Sequence, residues 1–193
     1  WLNLTFQLVQ IALALVPVLL VAHLLRRSGE GLRGIGLDAT QPSRDALRGL
    51  VLAAVVGGTG LAFYLAMYAA GLNLRVVPVA LETSWWTLPL LVLAAIENAL
   101  LEEVVVLGYL IHRLRQIGWG PGPAIVTSAL IRGGYHLYQG VGGFVGNVAM
   151  GLLFGWLFTR WRRTVPFVIA HALIDIVAFV GYAMLRERVG WLP

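Results

Sequence analysis

Glu102 and Glu103 stand side by side in a long apolar stretch, and Arg132, His136, Asn147, His171 and Asp175 fall in later stretches of the same kind. An ionisable side chain at mid-bilayer costs about 2.5–3.5 kcal/mol on insertion scales, so such groups face a bundle interior or a wet cavity and mark functional candidates. The types present suit one reaction. A carboxylate in a partly dry cavity serves as general base towards a water molecule. Imidazoles and an amide hold that water and donate hydrogen bonds to the oxyanion that forms when it attacks a carbonyl. The set therefore points to peptide hydrolysis inside a membrane.

Spacing sorts these residues by face. His171 and Asp175 are four apart, as are Arg132 and His136, and Asn98 and Glu102, so each pair shares one side of a helix. Glu102 and Glu103, as helix neighbours, diverge by about 100°. One acid is expected to enter a site while the other pairs with a cation. Gly143, Asn147, Gly151 and Gly155 recur every four residues, a narrow stripe that lets backbones approach closely. The plainest role for Asn147 alone is an interhelical hydrogen bond.

The elements that must carry these groups are membrane spans. The chain has 193 residues, 59% hydrophobic and 12% charged, and its mean hydropathy of +0.83 lies outside the soluble range. The fold class read from this is all-α, a polytopic transmembrane bundle forming a single membrane domain over residues 1–193. About 20 apolar residues cross the hydrocarbon, which gives about six helices: Leu4 to Leu25, Asp45 to Leu72, Trp85 to Arg113, Ala124 to Tyr138, a fifth from the Gly140–Gly143 turn to near Arg160, and Val165 to Leu185. Pro42 fits the first turn of the second, with Thr40 as its expected cap. At about 1.5 Å per residue, Glu102, His136, Asn147 and His171 all fall roughly 10–25 Å from the arginine-bearing ends, within one layer.

The net charge of +5 comes from arginines alone, since the chain has no lysine. They cluster at span ends, the mark of membrane orientation and not of a nucleic-acid face. Three loops are rich in them: Arg26, Arg27, Arg33, Arg44 and Arg48; Arg113 and Arg115; Arg160, Arg162 and Arg163. The intervening loops carry only Arg75, while Arg186 and Arg188 at the far end dissent mildly. The N-terminus is thus expected outside and the three loops in the cytoplasm. Trp85, Trp86 and Tyr138 fit an outer aromatic belt, Trp119 and Trp161 an inner one. The absence of Cys excludes disulfides, a thiolate nucleophile and Cys-ligated metal. The first residue is Trp1, so a native segment is expected to precede it.

The ordered set on successive spans resembles the CPBP (ABI) family of intramembrane glutamic endopeptidases, which includes the type II CAAX prenyl protease. The matching stretches are ENALLEEVVVLGYL, SALIRGGYHLYQG, GGFVGNVAMGLLFG and VPFVIAHALIDIVAF, within a core of residues 95–182. Residues 1–94 form N-terminal helices without a family marker. The resemblance implies that Glu102 activates water with help from His136, and that His171 and Asn147 support the oxyanion site. Asp175 falls where the prenyl protease has an Asn. An ionised Asp donates no hydrogen bond, so here it is expected to orient His171 or to stay protonated. It also implies no metal and no cofactor, a membrane-associated protein or peptide as substrate, and no nucleic-acid partner. The family's EExxxR motif has Leu107 at its Arg position, and its FxxxH motif has Arg132 at its Phe position. Arg132 is therefore expected to replace the missing cation, pairing with Glu103 or Asp175.

Other groups have plainer readings. Glu97 is a structural or cavity-lining acid, and His23 and His112 are interfacial. Ser128 lacks a GxSxG-like setting, and no HExxH occurs, although Glu102, His136, His171 and Asp175 have the chemistry to hold a divalent metal. Two other functions compete: a proton-coupled transporter, opposed by the lack of an inverted repeat, and a non-catalytic membrane scaffold or immunity protein. The bias toward Arg, Ala, Gly, Leu and Val suggests a bacterial plasma membrane. The oligomeric state is not legible.

Overall fold

The computed structural model describes residues 2–74 and 84–185. The expected Arg75 to Thr83 connector, Arg186, Arg188 and Trp1 lie outside the described residues. The chain forms helices throughout: α1 Leu2–Ala14, α2 Val16–Arg27, α3 Pro42–Ala69, α4 Thr87–Leu101, α5 Leu110–Gln116, α6 Pro121–Tyr135, α7 Val141–Trp161 and α8 Val165–Leu185. Asn73 and Gly140 form an isolated antiparallel bridge, and no strand occurs among the described residues. This is an all-α membrane bundle. Four segments are long and apolar enough to cross a bilayer: Asn3–Arg27, Pro42–Ala69, Val141–Trp161 and Val165–Met184.

The other two expected spans differ in ways that matter to the site. From Thr87 to Gln116 the chain is one continuous helical rod, but Glu102–Tyr109 is wound as a π-helix between α4 and α5. A π-helical turn bonds i to i+5 instead of i+4 and is frequent at functional sites. The fourth expected span, Ala124 to Tyr138, keeps its length but lies three residues earlier as the 15-residue α6, about 22 Å of helix against a hydrocarbon core of about 30 Å. After His136 the chain turns through the 3₁₀ segment Leu137–Gln139. Pro42 does open α3, but Thr40 is not its cap. The preceding residue is Gln41, without a side-chain cap bond, and the Thr40 hydroxyl is engaged with Asp38 and Arg163 instead.

The small-residue stripe does its work between α6 and α7. A Cβ at Gly151 would sit 2.9 Å from the Ala129 Cα, so only glycine permits that approach. The α4 and α3 helices both pack along α8. One apolar cluster joins Leu52, Leu107, Ile111, Ala124, Phe154, Phe158, Phe167 and Ala170, and a second joins Val21, Leu25, Ile35 and Val104. Leu13, Leu19, Leu61 and Val177 are among the exposed apolar side chains, as lipid-facing positions require.

All three arginine-rich loops lie at one end of the bundle. There Arg113 reaches Glu30 at 2.6 Å and Ser28 at 2.6 Å across loops far apart in sequence. At the same end Arg163 binds Asp45 and Asp38.

Candidate active site

The site is assembled from the π-helical turn, the end of α6 and the first half of α8. Glu103 is fully buried. One of its oxygens, Oε1, receives both the Arg132 guanidinium and, at 2.7 Å, the His171 Nδ1. Glu102 Oε2 lies 3.5 Å from Arg132 Nη2, and its Oε1 lies 3.7 Å from His136 Nε2. The adjacent acids therefore do not go to separate places. Both reach one guanidinium, because the wider π-helical turn rotates successive side chains less than the expected α-helical step. Of the two partners expected for Arg132, the structure gives it Glu103. Leu107, at the motif's Arg position, is buried in the apolar cluster beside Ile111 and Phe154.

The two histidines are oriented by what holds their Nδ1. That of His136 lies 2.9 Å from the Arg132 carbonyl oxygen. It donates there to one of the carbonyls that the end of α6 leaves open, so in the neutral ring the Nε2 lone pair faces Glu102. His171 donates its Nδ1–H to Glu103, placing Nε2 3.4 Å from Asp175 Oδ2. That same Asp175 oxygen accepts a 2.8 Å bond from the Asn98 amide. Asn98 thus serves the site through Asp175, one turn before Glu102.

Asn147 is not drawn into this cluster by any bond among the described residues. Its amide donates at 3.0 Å to the Gly143 carbonyl of its own helix. Ser128 donates to the Val106 carbonyl at 2.7 Å, which fits its plain reading as a packing residue. Sequence reasoning missed Tyr135, whose phenol lies close enough to interact with Glu102 and whose ring is 4.8 Å from that of His136. Its adjacency to His136 was the available signal.

Three buried atoms here have no hydrogen-bond partner: Glu102 Oε2, Glu103 Oε2 and Arg132 Nη1. Buried polar atoms are rarely left so, and their grouping suits a small polar guest. Glu102, Glu103 and His171 also offer one ligand atom each within 4.8 Å of one another, a set that could hold a metal. It differs from the set expected, for it includes Glu103 and omits His136 and Asp175. The Arg132 guanidinium already sets one positive charge beside those two carboxylates and would repel a second cation.

Comparison with family models matches the type II CAAX prenyl endopeptidase Rce1-like family over residues 84–177. That stretch runs from just before α4 into α8 and holds every member of the cluster. This stretch, just under half of the chain, is similar to that family. The family is one of CAAX-type membrane proteases, so the general class of the chain is a membrane-embedded protease. No curated protein and no solved structure matches.

Proposed function

We propose that the chain is a glutamic, metal-independent intramembrane endopeptidase in which Glu102 activates water. The observation that carries the reading is the pairing of Glu102 with the Nε2 face of His136 across 3.7 Å, beside an unpartnered carboxylate oxygen. That distance exceeds a direct hydrogen bond. It suits a water that donates one hydrogen to the carboxylate and the other to Nε2, leaving a lone pair free to attack.

In the reaction, water oxygen bonds to the carbonyl carbon of the scissile peptide as Glu102 takes its proton. The tetrahedral oxyanion is met by the open Arg132 Nη1 and, with the His171 ring doubly protonated between Glu103 and Asp175, by its Nε2–H. Collapse breaks the C–N bond, and the proton held by Glu102 passes to the departing amine. Glu103 keeps Arg132 and His171 aligned, Asp175 and Asn98 fix the far side of the His171 ring, and Asn147 stands on the neighbouring helix as a reserve amide. The substrate is a membrane-associated protein or peptide. With the arginine-rich end cytoplasmic, the setting is a bacterial plasma membrane.

The test is cleavage of membrane-anchored peptides by reconstituted protein. Glu102→Gln is expected to lower the rate by about 10²–10⁴-fold and His136→Ala by a similar or smaller factor, while strong chelator leaves the rate unchanged. Undiminished cleavage by Glu102→Gln would sink the glutamic mechanism, and loss of cleavage in chelator would replace it by a metal-assisted one.

A further inference from the structure

We infer that the seam between α3 and α7 holds the headgroup of an anionic phospholipid at the arginine-rich end, with an acyl chain lying along the groove below it. The site is independent of the proposed peptidase chemistry.

The groove comes from the way the two helices part. Near the start of α7 they touch: a Cβ on Gly142 would sit 2.9 Å from the Met67 Cβ, and one on Gly146 would sit 3.3 Å from the Phe63 ring. Gly146, Leu153 and Arg160 follow one another at intervals of two helical turns, so all three stay on the side of α7 that faces α3. Contact does not persist along that line. Gly142 is buried and Gly146 half-buried, whereas Leu153 is 38% exposed and Arg160 is exposed as well. Here α3 has drawn away, while Gly151 and Gly155 on another side of α7 keep it pressed on Ala129 and Ile125 of α6.

The mouth of this groove is cationic. Arg48 reaches from α3 to α7 and lays its guanidinium 4.4 Å from the centre of the Trp161 ring. Arg44 stands one turn earlier on the same face of α3, and the Arg160 guanidinium lies 4.0 Å over the Trp156 ring. The acids of the neighbouring loops are already engaged, Glu30 by His112 and Arg113, Asp38 and Asp45 by Arg163. Arg44, Arg48 and Arg160 form no ion pair among the described residues. Like charges gathered at one mouth repel unless an anion comes between them. A guanidinium lying on a ring still presents its N–H edge, which matches the paired oxygens of a phosphate.

Below the mouth the surface is apolar. Val51 and Val55 continue the Arg44–Arg48 face of α3 at 54% and 57% exposed, and Trp156 on α7 is 44% exposed. A free phosphate ion would leave that strip unused, whereas an acyl chain covers it. Tryptophan at headgroup level, cations above it and hydrocarbon below are together the chemistry of an anionic phospholipid. The leaflet at the arginine-rich end supplies one.

Occupancy reaches the core through a column of rings. Trp161, beneath Arg48, stacks on Phe167 at 5.5 Å and 18°. Phe167 meets Phe154 at 5.0 Å, and the Arg132 guanidinium lies 5.8 Å from the Phe154 ring. A phosphate that holds Arg48 against Trp161 therefore braces the outer end of a column whose inner end carries Arg132. A ligand bound only by the folded bundle raises its thermal midpoint.

The test compares the purified protein in phosphatidylcholine nanodiscs with and without phosphatidylglycerol, reading the thermal midpoint and, by native mass spectrometry, the lipid retained. Phosphatidylglycerol is expected to raise the midpoint by several degrees and to be retained over phosphatidylcholine by about tenfold or more, at about fivefold for each arginine. The triple variant Arg44→Gln/Arg48→Gln/Arg160→Gln is expected to lose both effects. Reading each variant as a difference between the two lipids cancels any cost to folding. Arg26→Gln/Arg27→Gln, at the end of α2, is expected to keep both. If the triple variant does not fold, Arg160→Gln alone, which lies outside the ring column, should lower the preference about fivefold. An unchanged preference in the triple variant, or in Arg160→Gln where that stands in for it, overturns the inference. So does an equal loss in Arg26→Gln/Arg27→Gln, which would mean a diffuse surface charge. A midpoint rise reproduced in pure phosphatidylcholine by soluble glycerol phosphate would replace the lipid by a free anion and overturn it too.

Discussion

Two buried arginines, Arg163 and Arg132, divide the labour of this molecule. At the arginine-rich end, the Arg163 Nε lies 3.1 Å from each Asp45 oxygen. Its Nη1 donates to Asp38 at 2.8 Å and Thr40 at 2.9 Å, and its Nη2 donates to the Asp38 carbonyl at 2.8 Å and to Asp45. Each of its nitrogens is engaged. In the middle of the membrane, Arg132 holds Glu103 yet leaves Nη1 free, and each glutamate keeps one oxygen unpaired. A saturated network fixes geometry, whereas an unsaturated one in a drier setting retains capacity for a guest. The first joins loops, and the second is the one the proposed peptidase mechanism uses.

The largest effect should come from cutting the saturated network. Asp45→Ala leaves the buried Arg163 with Asp38 as its remaining carboxylate, and removing one partner of a buried pair costs up to about 3–5 kcal/mol. A marked fall in the thermal midpoint in detergent is expected, with peptidase rate per folded molecule nearly unchanged. Glu102→Gln should do the reverse, keeping the midpoint within a few degrees while losing cleavage. If Asp45→Ala abolished cleavage in protein that remained folded, the division between the two arginines would fail.

Next in size is the contact that seats Arg132. Gly151→Ala forces a methyl against the Ala129 backbone, one turn from Arg132, and overpacking of this kind costs about 1–3 kcal/mol. Because the strain falls on the α6–α7 seam, the expected result is a loss of both stability and turnover. A variant with full turnover would show that the position of Arg132 tolerates movement of α6, and the unsaturated site would then be less preorganised than its contacts suggest.

The comparison also shows what a sequence discloses. Glu102, His136, His171 and Asp175 were legible because ionisable groups in apolar spans have few innocent explanations, and their four-residue spacings set faces correctly within each helix. The convergence of Glu102 and Glu103 on one cation was not legible, since no residue in EEVVVLGY announces a π-helical turn. The end of α6 was misplaced for a related reason: Tyr135 to Tyr138 reads as a continuation of the helix, and only tertiary structure turns it at His136. The Arg163 network was missed because Asp38, Thr40 and Asp45 look like ordinary loop and helix-start residues. Their partner lies more than a hundred positions away, and charge counting assigned Arg163 to membrane orientation alone.

The smallest effect sharpens the comparison at its exposed edge. Glu30 is held at about 2, down from its ordinary 4.5, first by the His112 hydrogen bond and then by Gln116, Arg113 and Ser28. A carboxylate lowered on folding contributes stability that is complete above about 4.5 and fades as the pH falls through that value toward 2. The group lies at the rim, partly open to solvent, where such pairs contribute about 0.2–1 kcal/mol. Glu30→Gln should therefore lower the thermal midpoint slightly at pH 6 and progressively less below pH 4.5, with no change in cleavage. A difference that stayed constant down to pH 3 would mean that packing, not charge, ties the α2–α3 loop to α5. A change in cleavage at pH 6 would mean that the rim communicates with the unsaturated site through the rod that carries both His112 and Glu102.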